Sequence, residues 1–177
     1  MDLTKAILPD AVEVSGRYYK IHTGHSYWFR FAQIIEQDKI YLSDCDYLYT
    51  DELPDDRQAG IDSLSKFYYE TKELPRVDKG ESERVIDYAI DADLIYAGIL
   101  QCYGIDLYEN QLHWHKVRSM ISGMHGTKLN DILGYRCATP GKNKELAKAK
   151  AAWALPEKIS PDAEEAREKF SAQFYNA

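Results

Sequence analysis

Cysteine and long apolar runs are both scarce in this sequence. Its 177 residues include three cysteines, Cys45, Cys102 and Cys137, which are too few and too scattered for a disulfide scaffold or a zinc site. No apolar stretch approaches the roughly 18 residues that a membrane-spanning helix needs. Residues 1–9 also lack the basic region and apolar core of a secretory signal. We therefore expect a reduced, intracellular protein that makes no membrane contact.

Positive charge is in deficit as well. Lys and Arg together number 22 against 29 for Asp and Glu, a formal net charge of −7, so the chain is a poor candidate for nucleic-acid binding, which needs a basic surface. Residues 36–56 hold eight acids against one base, whereas residues 116–150 hold eight bases against two acids. The simplest interpretation is two solvated faces. The alternative is a polar molecule that associates with another copy of itself or attracts a charged partner.

Tyrosine, in contrast, is in excess. There are 14 tyrosines and only 5 phenylalanines. Tyrosine combines apolar area with a polar tip and is enriched where a protein surface meets a partner. The composition therefore hints at a binding protein.

The residue pattern predicts a mainly α protein that begins with a short β-hairpin. Residues 11–14 and 17–21 alternate around Ser15-Gly16, and a two-residue loop would pair Val14 with Arg17 and Val12 with Tyr19. Apolar residues at helical spacing predict the helices that follow. These cover residues 27–37 behind a Ser26 cap, 57–70 behind Asp55 or Asp56, 92–103 between an Asp91 cap and Gly104, 108–123, and 128–133 between a Thr127 cap and Gly134.

A helical tail is predicted beyond Pro140-Gly141. This boundary divides the chain into a hairpin with a helical core, residues 1–139, and a helical extension, residues 140–177. The extension carries two predicted helices with narrow apolar stripes, residues 144–155 and 161–175. They either fold onto the core or await a partner. Residues 71–84 show no periodicity, which is typical of a surface loop.

Metal-binding signatures are missing. His22 and His25 have no third ligand nearby, and His113 and His115 point to different faces of a predicted helix. The acidic stretch from Asp44 lacks the oxygen ligand and the glycine that a calcium loop needs at its fifth and sixth positions. We expect no metal and no cofactor.

Catalytic signatures are missing too. Asp87, Asp91 and Asp93 form a carboxylate cluster, and helix capping, which explains two of the three, is a simpler interpretation than acid–base catalysis. No serine lies in a nucleophile elbow and no glycine-rich loop has the spacing of a phosphate-binding loop. We therefore expect a protein that is not an enzyme.

Several segments together carry a family resemblance. The stretch IDADLIYAGILQCYGIDL at residues 90–107 is followed by LHWHKVR at 112–118, TKL at 127–129, Ile132 and GYR at 134–136. In this order and spacing they resemble a family of small acidic proteins of long-tailed phages and prophages, encoded between the major tail protein and the tape-measure protein. The resemblance covers roughly residues 10–138. His115 departs from it, since a second aromatic is expected after Trp114, and the tail beyond Pro140 has no match.

The resemblance implies a tail assembly chaperone. Such a protein binds the tape-measure protein in the cytoplasm of the bacterial host and is absent from the finished particle. The alternative is a structural tail or connector component that stays in the virion. Self-association into a homo-oligomer is also open.

We select six residues as candidates for partner contact, because aromatic and arginine side chains dominate protein interfaces: Tyr96, Tyr103, Tyr108, Trp114, Arg118 and Arg136. Trp114 also lies on an apolar stripe, so a place in the interior stays open for it.

Overall fold

A computed structural model describes residues 4–35, 40–70 and 84–156 of the chain. The prediction of a mainly α fold with an N-terminal hairpin is confirmed. The strands are β1 (Ala11–Val14) and β2 (Arg17–Lys20), and the helices are α1 (His25–Ile34), α2 (Leu42–Cys45), α3 (Arg57–Tyr69), α4 (Ala92–Tyr103), α5 (Trp114–Gly123), α6 (Lys128–Cys137) and α7 (Lys144–Trp153), with a 3-10 turn at Asp46–Leu48.

The hairpin has the predicted register. Val14 pairs with Arg17 and Val12 with Tyr19 in an antiparallel ladder. Ser15 and Gly16 both adopt positive φ, 51° and 83°, which a tight two-residue hairpin turn requires. Val12, Val14 and Tyr19 are buried, so one face of the hairpin covers the core as expected.

Helix α1 begins one residue before the predicted cap. Gly24 occupies the N-cap position and the helix starts at His25. The Ser26 hydroxyl instead accepts a hydrogen bond of 2.8 Å from the Gln111 side-chain amide. Trp28 and Phe31 on the predicted stripe are fully buried.

Helix α3 is capped by Asp56, one of the two predicted candidates. Its carboxylate accepts a hydrogen bond of 3.0 Å from the Ala59 backbone N–H. Ile61, Leu64 and Phe67 of this helix face the interior, as their spacing indicates.

The start of α5 differs from the prediction. Helix α4 does end at Gly104 in the left-handed conformation, φ 65°, but α5 begins only at Trp114 and not near residue 108. The preceding residues pair with the entry to α1: the His25 N–H donates to the Leu112 carbonyl at 2.8 Å, and the Trp114 N–H donates to the Thr23 carbonyl at 2.7 Å. These long-range bonds hold Leu112 and His113 in an extended conformation, so the helix cannot begin before Trp114.

Helix α6 has the predicted Thr127 cap, in a capping box with Asn130. The helix does not stop at Gly134 but continues to Cys137, because Arg136 in this last turn is anchored in the interior, as described below.

Helix α7 folds onto α6. The Lys150 ammonium donates to the Ala138 carbonyl at 3.1 Å, and the Lys128 ammonium lies 5.5 Å from the centre of the Trp153 ring. Of the two alternatives for the first predicted tail helix, the structure therefore supports packing against the core. The second predicted tail helix and nearly all of the predicted loop at residues 71–84 lie outside the described residues. The division at residue 139 stays a prediction.

Among the described residues, the buried apolar side chains form two clusters. The N-terminal core joins the hairpin, α1, α2 and α3 with Trp114 of α5, and the C-terminal core joins α4, α5 and α6 around Ile95, Ile99 and Leu129. Phe29 and Tyr88 pack against both clusters. A surface groove lies at this junction.

Candidate functional site

The groove at the junction of the two cores has a volume of about 490 Å³. Its apolar walls come from α1, from residues 88–95 and from the segment between α4 and α5. We call it the aromatic groove. Its lining includes the apolar residues Phe29, Tyr88, Ile95, Tyr96, Leu107 and Tyr108, and the polar residues Ser26, Gln33 and Gln111.

A smaller cavity of about 270 Å³ extends the groove. It shares Gln33, Tyr88 and Ala89 with the groove and continues to Ala32 and Asp87. The groove and this cavity are therefore neighbours on either side of Tyr88.

Two candidate partner-contact tyrosines form part of the groove. The rings of Tyr96 and Tyr108 lie 5.6 Å apart between centres. Tyr108 is 93% exposed, so most of its ring is available to another molecule. Of the six predicted residues, these two line the groove.

Asp106 positions this tyrosine pair. One of its carboxylate oxygens accepts the Tyr108 backbone N–H at 2.8 Å, and the other accepts the Tyr96 hydroxyl at 2.9 Å. The hydrogen bond from the Tyr108 backbone, and then the one from Tyr96, lowers the pKa of Asp106. The same contact with Asp106 raises the pKa of Tyr96. Asp106 therefore stays ionised and Tyr96 stays protonated, and the hydrogen bond between them holds this side of the groove in place.

His25 closes one side of the groove. It is buried, and its ring Nδ1 accepts the Leu112 backbone N–H at 3.2 Å. Burial lowers the pKa of His25, so the ring is neutral at pH 7 and fixes the segment between α4 and α5 against α1. The His25 imidazole is thus a part of the groove wall that hydrogen-bonds to the neighbouring segment.

Tyr103 and Arg118 lie elsewhere on the surface. Tyr103 is 39% exposed, and its hydroxyl donates to the Met120 carbonyl at 2.9 Å. The Arg118 guanidinium is half-buried and donates to the carbonyls of Tyr68 and Tyr69. Neither side chain lines the groove.

Trp114 belongs to the interior. It is fully buried, and its indole N–H donates to the Tyr68 carbonyl at 3.0 Å while its ring stacks on the Tyr68 ring at 5.1 Å. A side chain enclosed in this way has no surface to offer a partner. The apolar stripe on α5 correctly indicated that Trp114 lies in the interior.

Arg136 is buried as well. Its guanidinium makes a bidentate ion pair with Asp91, with N–O distances of 2.7 and 2.9 Å, and donates to the carbonyls of Val85 and Trp153. Arg136 therefore fastens α6 to the start of α4 and the end of α7, and this buried side chain is not available to a partner.

The carboxylate cluster is structural, although not in the predicted way. Asp91 occupies the N-cap position of α4 but makes no side-chain capping bond, because its oxygens bind Arg136 and the Asp87 backbone N–H. Asp87 accepts the N–H groups of Ala89 and Ile90, both at 2.8 Å. Asp91 therefore belongs to an ion pair, and Asp87 stabilises a turn.

Pattern reasoning missed several groove residues. Phe29 lies off the apolar stripe of α1, and Tyr88 follows a stretch without periodicity. Their shared role depends on the meeting of two cores, which no local pattern encodes. The abundance of tyrosine was the only sequence signal that pointed toward this surface.

A larger depression lies between β1 and α3. It has a volume of about 690 Å³, and its lining includes the charged residues Glu13, Asp62, Lys66 and Glu70. This charged lining suits an apolar partner poorly, so the aromatic groove is the better candidate site.

In the described ranges, no group of three or more His, Cys, Asp or Glu side chains is placed to hold a metal ion. Within the same ranges, the helices are too short or too polar to span a membrane.

Comparison with known proteins identifies the family. The model of the family described as bacteriophage Gp15 protein matches residues 4–155, which is most of the chain and includes all the described helices. No curated protein and no solved structure gave a match. The chain belongs to the bacteriophage Gp15 protein family.

Proposed function

We propose that this phage protein is a non-enzymatic tail assembly chaperone that binds the tape-measure protein in the host cytoplasm. Family membership supports a phage role. The more specific role is supported by the resemblance described above, to a family of proteins encoded between the major tail protein and the tape-measure protein.

The aromatic groove is the observation that carries this proposal. An amphipathic helix binds by laying its apolar face in an apolar groove whose edge is polar. The groove offers Phe29, Tyr88 and Ile95 as apolar wall, with Gln33 and Gln111 at its edge. A tape-measure protein rich in long amphipathic helices is a fitting ligand, because its apolar faces stay exposed until the tail forms.

Tyr108 is the expected anchor. It is almost fully exposed, lies beside Tyr96 and forms part of the groove lining. Exposed tyrosines next to apolar pockets are frequent hot spots, since they bury a large ring with little loss of side-chain entropy.

Co-expression with tape-measure fragments tests the proposal. The wild-type protein should increase the soluble yield of a fragment and co-purify with it, and Tyr108→Ala should lower the affinity roughly 10-fold or more, as expected for a hot spot. Tyr18→Ala is the matched control, because Tyr18 is 71% exposed on β2 and does not line the groove. No co-purification, or equal losses in both variants, would contradict the proposal.

Analysis of purified virions by mass spectrometry separates the chaperone from a structural component. A chaperone is absent from the particle. A stoichiometric amount of this protein in the tail would instead support the structural alternative.

A further inference from the structure

The aromatic groove lies within an acidic part of the chain. Residues 85–115, which supply most of the groove lining, contain five acids and neither lysine nor arginine. Among the described residues that line the groove, none is Asp, Glu, Lys or Arg. The lining is therefore uncharged, and the acids of this segment lie outside it.

Three of the five acids keep their negative charge without a basic neighbour. Asp87 and Asp91 are neutralised by ion pairs with arginine. Asp93, Asp106 and Glu109 make no ion pair in the part of the chain that the structure describes. All three are at least partly exposed, so their charge can act on another molecule.

These three carboxylates lie around the tyrosine pair of the groove. The hydrogen bond to Asp106, and more weakly the negative charge of Glu109, raises the pKa of Tyr96, so both carboxylates are close to this phenol. Asp93 precedes Tyr96 by three residues in α4, which places the two side chains on neighbouring turns of one helix face.

Aromatic rings beside carboxylates suit a cation. A guanidinium group can stack on an aromatic face while its N–H groups donate to carboxylate oxygens. The ring of Tyr108 is 93% exposed, and the Asp106 carboxylate lies beneath the same pair of tyrosines. This edge of the groove therefore favours an arginine or a lysine.

We propose that the aromatic groove selects a basic amphipathic helix, whose apolar stripe lies in the groove and whose flanking arginine or lysine side chains meet Asp93, Asp106 and Glu109. An acidic helix is disfavoured, because like charges at the edge of an interface repel. That the basic helix belongs to the tape-measure protein rests on the proposed function, whereas the preference for positive charge belongs to the groove itself.

Two synthetic helical peptides with the same leucine stripe test this preference. One carries arginine and lysine on both sides of the stripe, and the other carries glutamate at the same positions. Fluorescence anisotropy of the labelled peptides gives their Kd for the full chain. Exposed ion pairs and a cation–π contact each strengthen binding by a factor of about 2–5, so the basic peptide should bind roughly 10-fold or more tightly. This advantage should decrease at about 0.5 M NaCl.

A matched pair of double variants shows where the preference arises. Asp93→Asn with Glu109→Gln removes two charges beside the tyrosine pair and should reduce the advantage of the basic peptide at least several-fold. Asp51→Asn with Asp55→Asn removes the same net charge at exposed positions outside the groove lining and should leave the advantage near its wild-type value. Because all four positions are exposed, both variants should keep the wild-type circular dichroism spectrum.

Three results would overturn the proposal: no binding or equal affinity for the two peptides, equal effects of the two double variants, or a dimer of the protein alone that Asp93→Asn with Glu109→Gln dissociates. The last would show that a second copy occupies the groove. Because the peptides carry no tape-measure sequence, the outcomes are separate from those of the co-purification experiment. A tape-measure fragment that co-purifies while the peptides bind equally would support the proposed function and contradict the basic preference. A clear preference without co-purification would do the reverse.

Discussion

The two cores of this protein differ in chemistry. The N-terminal core is rich in aromatic residues, and successive ring contacts link Trp28, Phe31, Phe67, Tyr68 and Trp114. The C-terminal core is mainly aliphatic, and isoleucine, leucine and valine fill the space between α4, α5 and α6. The aromatic groove lies where the two meet.

The cores also differ in how distant segments are fastened. In the N-terminal core, ring nitrogens of Trp114 and His115 bind the main-chain carbonyls of Tyr68 and Phe67. In the C-terminal core, one ion pair between Arg136 and Asp91 joins three segments. In both cores, buried polar groups therefore mark the places where remote parts of the chain meet: ring N–H groups bind main-chain carbonyls in the first core, and an ion pair joins the segments of the second.

Removing the ion pair should affect the C-terminal core most. Arg136→Met leaves the Asp91 carboxylate buried without its partner, and breaking a buried pair in this way costs about 3–5 kcal/mol of folding free energy. We expect the upper end, because two main-chain carbonyls also lose their donor. Urea denaturation gives the magnitude, and hydrogen exchange should show the loss of protection first in α6 and α7.

The double variant Asp91→Leu with Arg136→Met is the control for this experiment. It removes both charges, so much of the lost stability should return. A double variant as unstable as Arg136→Met alone would show that the charge pair is not what fastens this core.

Truncating Trp114 should affect both cores. Trp114→Ala removes a fully buried indole, and such truncations cost about 3–5 kcal/mol; we expect the middle of that range because the Tyr68 carbonyl keeps Arg118 as a donor. Trp153→Ala, at a half-exposed indole on α7, should cost less than half as much. Equal losses for the two tryptophans in denaturation experiments would contradict the central place of Trp114.

Acid should weaken the N-terminal core selectively. Burial lowers the pKa of His115 from 6.5 to about 4, so the folded protein keeps this ring neutral while the unfolded chain takes up a proton below pH 6.5. The stability from His115 is therefore complete above pH 6.5 and decreases as the pH falls toward 4.

The unfolding midpoint measured between pH 7 and 4 checks this expectation. His115→Gln should be less stable at pH 7 and should show a smaller dependence on pH than the wild type. Some dependence remains, because burial also lowers the pKa of His25 and His113. His125→Gln, at an exposed position, should follow the wild-type curve, and an unchanged slope in His115→Gln would contradict the assignment.

The smallest effect on stability is expected at the junction itself. Tyr108→Ala changes a side chain that is 93% exposed, so the free energy of unfolding should move by about 0.5 kcal/mol or less. Thermal denaturation measures this change. A large loss of stability would show that Tyr108 supports the fold, and its effect on partner binding would then have another cause.

Much of the fold was predictable from local patterns. The hairpin register followed from alternation around Ser15-Gly16, and the caps at Asp56 and Thr127 and the helix end at Gly104 followed from residue type. The candidate site was predicted only in part: Tyr96 and Tyr108 were named, but Phe29, Tyr88 and His25 were not, and Trp114 and Arg136 proved to be interior.

Local residue patterns were sufficient for the elements whose signals act within a turn or two of the chain, because a capping oxygen or a positive-φ glycine satisfies its own neighbours. The partners of residues far apart in the chain depended on the tertiary fold. Asp91 has the sequence of a helix cap, yet its carboxylate binds Arg136, 45 positions away. A helix pattern begins near residue 108, yet the backbone bonds to Thr23 and His25 delay α5 until Trp114. In both cases a long-range hydrogen bond replaced a local one, since burial makes an unsatisfied charge or backbone group far more costly than an uncapped helix end.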